Sequence, residues 1–286
     1  MKNYAIVCDS SVSISVEDAK RLNVKVAPLT IIHNNKDYHD QIDLTTEQVN
    51  DLLREKEVLK TSQPNVGYLI NFFEDLKSQN FDHIFVLSLT SSLSGTYMSF
   101  NQALSEVNLD NVTLIDTYTL AGPVQNAAES IQAMNALDAS VEDIVKRLQY
   151  EFKFTESFVY PQTLDQLKVS GRISSSAALL ASLLKVKPLL LLENHGKTIE
   201  KFATARTESK IFESMIKEMQ AKNVNAKDYV LYFLHSEGRE TVDRLNQLIS
   251  EKLGDFEHKI CNLPAALATH AGLGTIALQW SLKFKR

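Results

Sequence analysis

Four stretches of the chain are rich in hydroxyls, three of them beside a carboxylate or amide group: Asp9-Ser10-Ser11, Thr61-Ser62-Gln63-Pro64, Thr90-Ser91-Ser92-Leu93-Ser94-Gly95-Thr96 and Asp116-Thr117-Tyr118-Thr119. Two chemistries suit them. In Leu93-Ser94-Gly95-Thr96, hydroxyls and a glycine stand together at an expected helix N-terminus, where free N–H groups and the helix dipole favour an anion. Alternatively, Ser94 is a nucleophile with His270 as its base and Asp116 orienting the base, although Gly-x-Ser-x-Gly is missing around Ser94. The ordinary role of Ser, Thr and Asp in such places is to cap helices. His270 lies between the apolar run that starts at Leu263 and a turn through Gly272 and Gly274, which is expected to lead into the last helix. Gly171-Arg172-Ile173-Ser174 and Ala205-Arg206-Thr207 each place an arginine before a helix. The dipole disfavours positive charge there, so these arginines serve something else or are solvated at the surface.

Other chemistries lack support. Neither Gly-x-x-x-x-Gly-Lys-Ser/Thr nor Gly-x-Gly-x-x-Gly occurs, so nucleotide cofactors are not expected. His-Glu-x-x-His is absent, and His33, His39, His83, His195, His235 and His258 have no partner at ligand spacing, so no metal site is expected. A net charge of -5, with no cluster of Lys and Arg, argues against nucleic acid. Cys8 and Cys261 are isolated in apolar stretches, which suits a reducing compartment. The first apolar run reaches Asp9 after five apolar residues, too few for a secretory signal. Residues 173–192 are interrupted by three serines in a row, Lys185, Lys187 and Pro188 and do not span a bilayer. A cytoplasmic protein is the expectation.

The elements that must position these residues follow from periodicity. With 9 glycines and 6 prolines in 286 residues, a turn-rich all-β fold is disfavoured. Strands are expected at residues 4–8, 24–32, 83–89 and 112–115, alternating with helices at 16–22, 46–55, 67–78, 97–107 and 120–136. That order implies βαβ units and a parallel sheet, whose ligands bind beyond the carboxyl ends of the strands. Thr45 and Gln48 have the spacing of a capping box. From about residue 155, strands at 158–160, 188–192, 229–234 and 256–261 begin a second α/β layer. Two directly packed α/β domains, 1–157 and 158–286, are therefore expected, with the last helix packing back on the first. Their junction is the expected cleft. Residues 173–184 are apolar over most of a helical circumference and suit either a lid or tunnel wall, or an ordinary core helix.

Taken in order, Asp9-Ser10-Ser11, Thr61-Ser62-Gln63-Pro64, Leu93-Ser94-Gly95-Thr96-Tyr97, Asp116, Lys168-Val169-Ser170-Gly171-Arg172-Ile173-Ser174, Lys187-Pro188, Arg206-Thr207 and His270-Ala271-Gly272 resemble the DegV family, the fatty-acid-binding proteins that supply bacterial fatty acid kinase. The resemblance implies a non-catalytic two-domain α/β protein that holds one long-chain fatty acid in a tunnel between its domains, with no other cofactor. It implies carboxylate binding by Thr61, Ser62, Ser94, Gly95 and His270, and a head-group or kinase contact for Arg172 and Arg206, with Ser91 beside them. Implied too are a fatty acid kinase catalytic subunit as partner, transient contact with the membrane surface, and acyl-phosphate passed on to phospholipid synthesis. The chain departs from the family in Thr90-Ser91-Ser92, where Ser-Ser-x with Gly is usual, and in Ala271-Gly272-Leu273-Gly274, which is poorer in Gly and Pro. A serine hydrolase and a lipid-sensing regulator are the competing readings.

Overall fold

The computed structural model describes residues 2–173, 186–193 and 196–285. The segment proposed as lid or tunnel wall falls, from Ser174 to Leu184, outside the described residues, as does His195. Along the first half run β1 (Tyr4–Asp9), α1 (Val16–Arg21), β2 (Val24–Ala27), β3 (Thr30–His33), β4 (Lys36–His39), α2 (Thr46–Arg54), β5 (Leu59–Ser62), α3 (Val66–Ser78), β6 (His83–Ser88), α4 (Thr96–Val107), β7 (Val112–Asp116), α5 (Gly122–Ala136) and α6 (Val141–Phe152). The second half holds β8 (Glu156–Tyr160), α7 (Asp165–Ser170), β9 (Lys187–Glu193), β10 (Thr198–Ala205), α8 (Glu208–Ala221), β11 (Tyr229–His235), α9 (Arg239–Leu253), β12 (His258–Asn262), α10 (Ala265–Ala271) and β13 (Ile276–Leu282).

The expected mixed α/β architecture is observed. Strands β2, β1, β6 and β7 form a fully parallel sheet in that order. Alternation along β1 sends Tyr4, Ile6 and Cys8 to the face covered by α5 and α6, and Ala5 and Val7 to the face covered by α3 and α4. Thr45 opens α2 with the capping box its spacing predicts: its hydroxyl accepts from Gln48 N–H at 3.3 Å, and the Gln48 side chain accepts from Thr45 N–H at 2.9 Å.

Two expectations need correction. The single strand expected at 24–32 is two strands in different sheets. β2 pairs with β1, whereas β3 pairs with β4 and β5 in a separate antiparallel sheet. Pro28 lies at the break, where its missing N–H and fixed φ end a ladder. The helix expected at the C-terminus is strand β13. It lies inside the six-stranded sheet β10-β9-β8-β13-β11-β12, antiparallel to β8 and β11. Ile-Ala-Leu-Gln-Trp-Ser-Leu is buried on both faces and so lacks the alternation that marks a half-exposed strand.

One face of the six-stranded sheet packs on α8 and α9 around Phe158, Leu231, Phe233 and Trp280. The other turns toward the first half, where Val230, Tyr232 and Leu234 share a core with Ile31, Val49, Leu53 and Ala121. Contact here is close. A Cβ on Gly122 would lie 2.3 Å from Tyr232 Cγ, and Tyr232 is fully buried with no room to withdraw. Gly122→Ala is therefore expected to cost about 1–3 kcal/mol by overpacking. Urea unfolding checks this: the midpoint falls while the slope is kept, and an unchanged midpoint would show that the two halves separate easily at this point.

Candidate functional site

Two faces of different origin meet at a cavity. The first half contributes the loops beyond the carboxyl ends of its strands, among them Leu29, Leu89, Ser94 and Leu120, together with the end of β5. The second contributes alternate residues of its sheet, including Val159 on β8, Leu192 on β9, Ile199 on β10 and Ala277 on β13, and the inner side of α10. The atom-free space, part of it open to solvent, is about 1160 Å³, and most of its wall is hydrocarbon.

Most of the polar side chains gather at one end. Thr61 on β5 and His270 on α10 approach from opposite halves, with Oγ1 and Nε2 2.6 Å apart, a hydrogen bond whose donor the imidazole tautomer decides. Burial, helped by the positive charge of Arg172, holds the His270 pKa down to about 4, so the ring is neutral at pH 7. Its Nδ1 is buried without a partner among the described residues. Ser62 and Ser94 line the same space. The Ser94 hydroxyl is 2.8 Å from Thr96 Oγ1 and accepts from Thr96 N–H at 3.3 Å, which fixes it over the first turn of α4. Gly95 stands before that turn under the Gln63 side chain, whose Cδ would lie 3.1 Å from an added Cβ. Arg172 follows Gly171, which takes the left-handed conformation at φ 69°, and donates from Nη1 to Ser170 O at 2.6 Å while lining the cavity.

Thr61, Ser62, Ser94, Gly95, Arg172 and His270 are thus brought together. Ser91 is not among the lining residues of this cavity. It lies in an adjoining polar cleft with Arg172, and its N–H donates to the Asp116 carboxylate at 3.3 Å. Arg206 is exposed at the far end of β10, seven residues from Ile199, or about 23 Å at roughly 3.3 Å per residue. Asp116 accepts from Ser91 and Tyr118 N–H groups and is not hydrogen-bonded to His270, so the arrangement a hydrolase would need is not assembled.

Several of the strand-end hydroxyls act structurally. Asp9 accepts from the N–H groups of Ser11 and Leu89, tying the ends of β1 and β6 together. Thr117 donates to Ser88 O, and Thr90 donates to Gly196 O in the other half. The Ser10 hydroxyl accepts from Leu29 N–H and donates to Asp40 Oδ2 at 2.6 Å. Asp40, which sequence reasoning missed, also accepts from Gln41 and from the N–H of Ala266 at the start of α10. Burial raises its pKa to about 6, and the Asp9 charge adds to the rise. Nothing in the local pattern marked Asp40, because its partners lie in three separate segments.

Comparison with known proteins identifies the lineage. The family model described as "Uncharacterised protein, DegV family" matches residues 3–283. This chain belongs to the DegV family. A DegV domain-containing protein of Staphylococcus aureus is 30% identical over 282 residues, covering 97% of this chain and 98% of that protein. The crystal structure of a fatty-acid-binding DegV family protein from Streptococcus agalactiae superposes with a TM-score of 0.88 at 25% identity, covering 99% and 100% of the two chains. A fatty-acid-binding DegV family protein from Thermus thermophilus gives 0.87 at 28% identity, with the same coverage. Among the described residues of this DegV-family chain, no group of three or more His, Cys, Asp or Glu could hold a metal ion. None of their helices is long and apolar enough to cross a membrane.

The two shifted groups titrate in opposite senses. His270, depressed when folded, contributes stability that is present above pH 6.5 and lost as pH falls toward 4, on the order of 3 kcal/mol. Asp40, raised when folded, contributes stability that is present below its unfolded value of 3.8 and lost as pH rises through about 6, by a similar amount. Urea unfolding at about pH 7 and about pH 4.5 should therefore show a steeper loss in acid for Asp40→Asn than for the parent, and a shallower one for His270→Gln. Parallel pH profiles for all three proteins would refute both assignments.

Proposed function

We propose that this protein binds one long-chain fatty acid, with the acyl chain in the apolar cavity and the carboxylate among Thr61, Ser62, Ser94, Gly95 and His270. The observation that carries this reading is the cavity's asymmetry: a hydrocarbon wall with donors from both halves converging at one end. Burying a sixteen-carbon chain yields on the order of 10 kcal/mol at about 0.8 kcal/mol per CH₂, before ordering costs. A carboxylate can be buried only among several donors. Hydroxyls, the first turn of α4 and a neutral imidazole meet that need, and Arg172 adds positive charge nearby. The relatives described as fatty-acid-binding support the same ligand.

On this reading the protein is a carrier with no catalysis of its own. It works in the cytoplasm, takes its fatty acid during transient contact with a membrane surface, and offers the carboxylate to a fatty acid kinase catalytic subunit for ATP-dependent phosphorylation. Acyl-phosphate then feeds phospholipid synthesis. The chain divides near residue 157 into the two α/β units that enclose the ligand. Arg172 serves the head group. Arg206, exposed and remote from the cavity, serves contact with the kinase.

Mass spectrometry of lipid extracted from the purified protein is expected to find about one long-chain fatty acid per chain, with no ester hydrolysis. A protein that carries none and takes none from fatty-acid vesicles would sink the carrier reading. Ser94→Ala and His270→Ala should each weaken fatty-acid retention by about 1–3 kcal/mol; unchanged retention in both would place the carboxylate elsewhere. With a fatty acid kinase catalytic subunit and ATP, Arg206→Ala should lower acyl-phosphate formation while bound lipid is unchanged. Phosphorylation at the parental rate would remove Arg206 from the partner surface.

A further inference from the structure

The polar lining of the cavity falls into two groups. One is the end around His270. The other is Ser157 and Gln279, cross-strand partners on β8 and β13. Thr275, just before β13, donates its hydroxyl to Ala271 O beside His270. Gln279 lies four residues further on, about 13 Å at roughly 3.3 Å per residue. Around the pair the wall is hydrocarbon, including Leu120, Val159, Leu192 and Ala277.

The amide of Gln279 is fully engaged. Its Nε2 donates to Leu120 O at 3.1 Å and to Ser157 Oγ at 2.7 Å, and its Oε1 accepts from Gly122 N–H at 3.0 Å. Gln279 therefore pins the turn into α5, where Ala121 is held at φ 60°. Ser157 is in a different position. Its oxygen accepts from Gln279, and no acceptor among the described residues takes its own proton. The residue is 3% exposed. A buried O–H without an acceptor is costly.

We propose that Ser157 determines specificity by donating a hydrogen bond to an oxygen carried along the acyl chain, so that the cavity favours oxo or hydroxy fatty acids over the plain saturated chain. This rests on the fatty-acid reading above. A carbonyl suits the site best, because it accepts the Ser157 proton and brings no donor that needs a partner. The position of the oxygen is set by the separation of Ser157 from the carboxylate end, so one positional isomer is favoured over its neighbours.

The test is displacement of labelled stearate from the delipidated protein by positional isomers of oxostearate and hydroxystearate, for the parent and for Ser157→Ala. In the parent, at least one isomer should compete about fivefold better than stearate. Ser157→Ala should lose that advantage, read as the ratio of each isomer's affinity to the variant's own affinity for stearate. Two results overturn the inference: no isomer outcompetes stearate in the parent, or the advantage survives in Ser157→Ala. The parental ranking stands even if the variant folds poorly. Failure of stearate and of every isomer to bind the parent would instead overturn the fatty-acid reading, and this inference with it.

Discussion

A cavity walled by hydrocarbon side chains stays open only if its walls are held apart by contacts stiffer than those its collapse would form, since protein interiors otherwise pack to near-crystalline density. Here the stiffness comes from polar joints between the two halves. Gln279 fastens β13 to the turn before α5, and Asp40 joins the loop after β4 to Ser10 and to the start of α10. Thr61 meets His270 across the polar end, and Asn126 on α5 donates to Leu282 O at the end of β13. Each joint is buried or partly buried, where an unpaired partner is costly, so each fixes one geometry. Beside the joints, the shared core around Tyr232 and Ala121 supplies ordinary apolar adhesion.

The same joints explain why the hydroxyl-rich loops look alike in composition and yet differ in use. Asp9, Ser10, Thr90 and Thr117 spend their polar atoms on backbone groups and, for Ser10, also on Asp40, and in doing so shape the rim. Ser94 and Thr61 remain at the surface of the cavity because their partners are local or lie directly across it. Position relative to the opposing sheet, and not residue type, separates the two groups.

Electrostatics at the polar end follows from burial. An imidazole kept neutral beside Arg172 can donate or accept without placing a second cation in a dry site, and Asp40, a joint away, resists ionisation for the same reason of desolvation. The polar end is thus one in which added negative charge would be more welcome than added positive charge.

Much was determined by sequence alone. Strand-length apolar runs alternating with helical periods are local properties, and they gave the parallel sheet, the capping box at Thr45 and the loops that carry Ser94 and Thr61. The ordered motifs carried the family. The tertiary structure decided the rest. β13 escaped because burial on both faces erases the alternation that distinguishes a strand, and the break at Pro28 became visible only when β2 and β3 joined different sheets. Asp40, Ser157 and Gln279 carry no local signal: their significance comes from partners 30 to 226 residues away or from a wall completed by the other half. The distance from Arg206 to the cavity is likewise set by the length and direction of β10, which no motif encodes. Contacts between distant segments are fixed by the packing of whole sheets, so they exist only once the fold does.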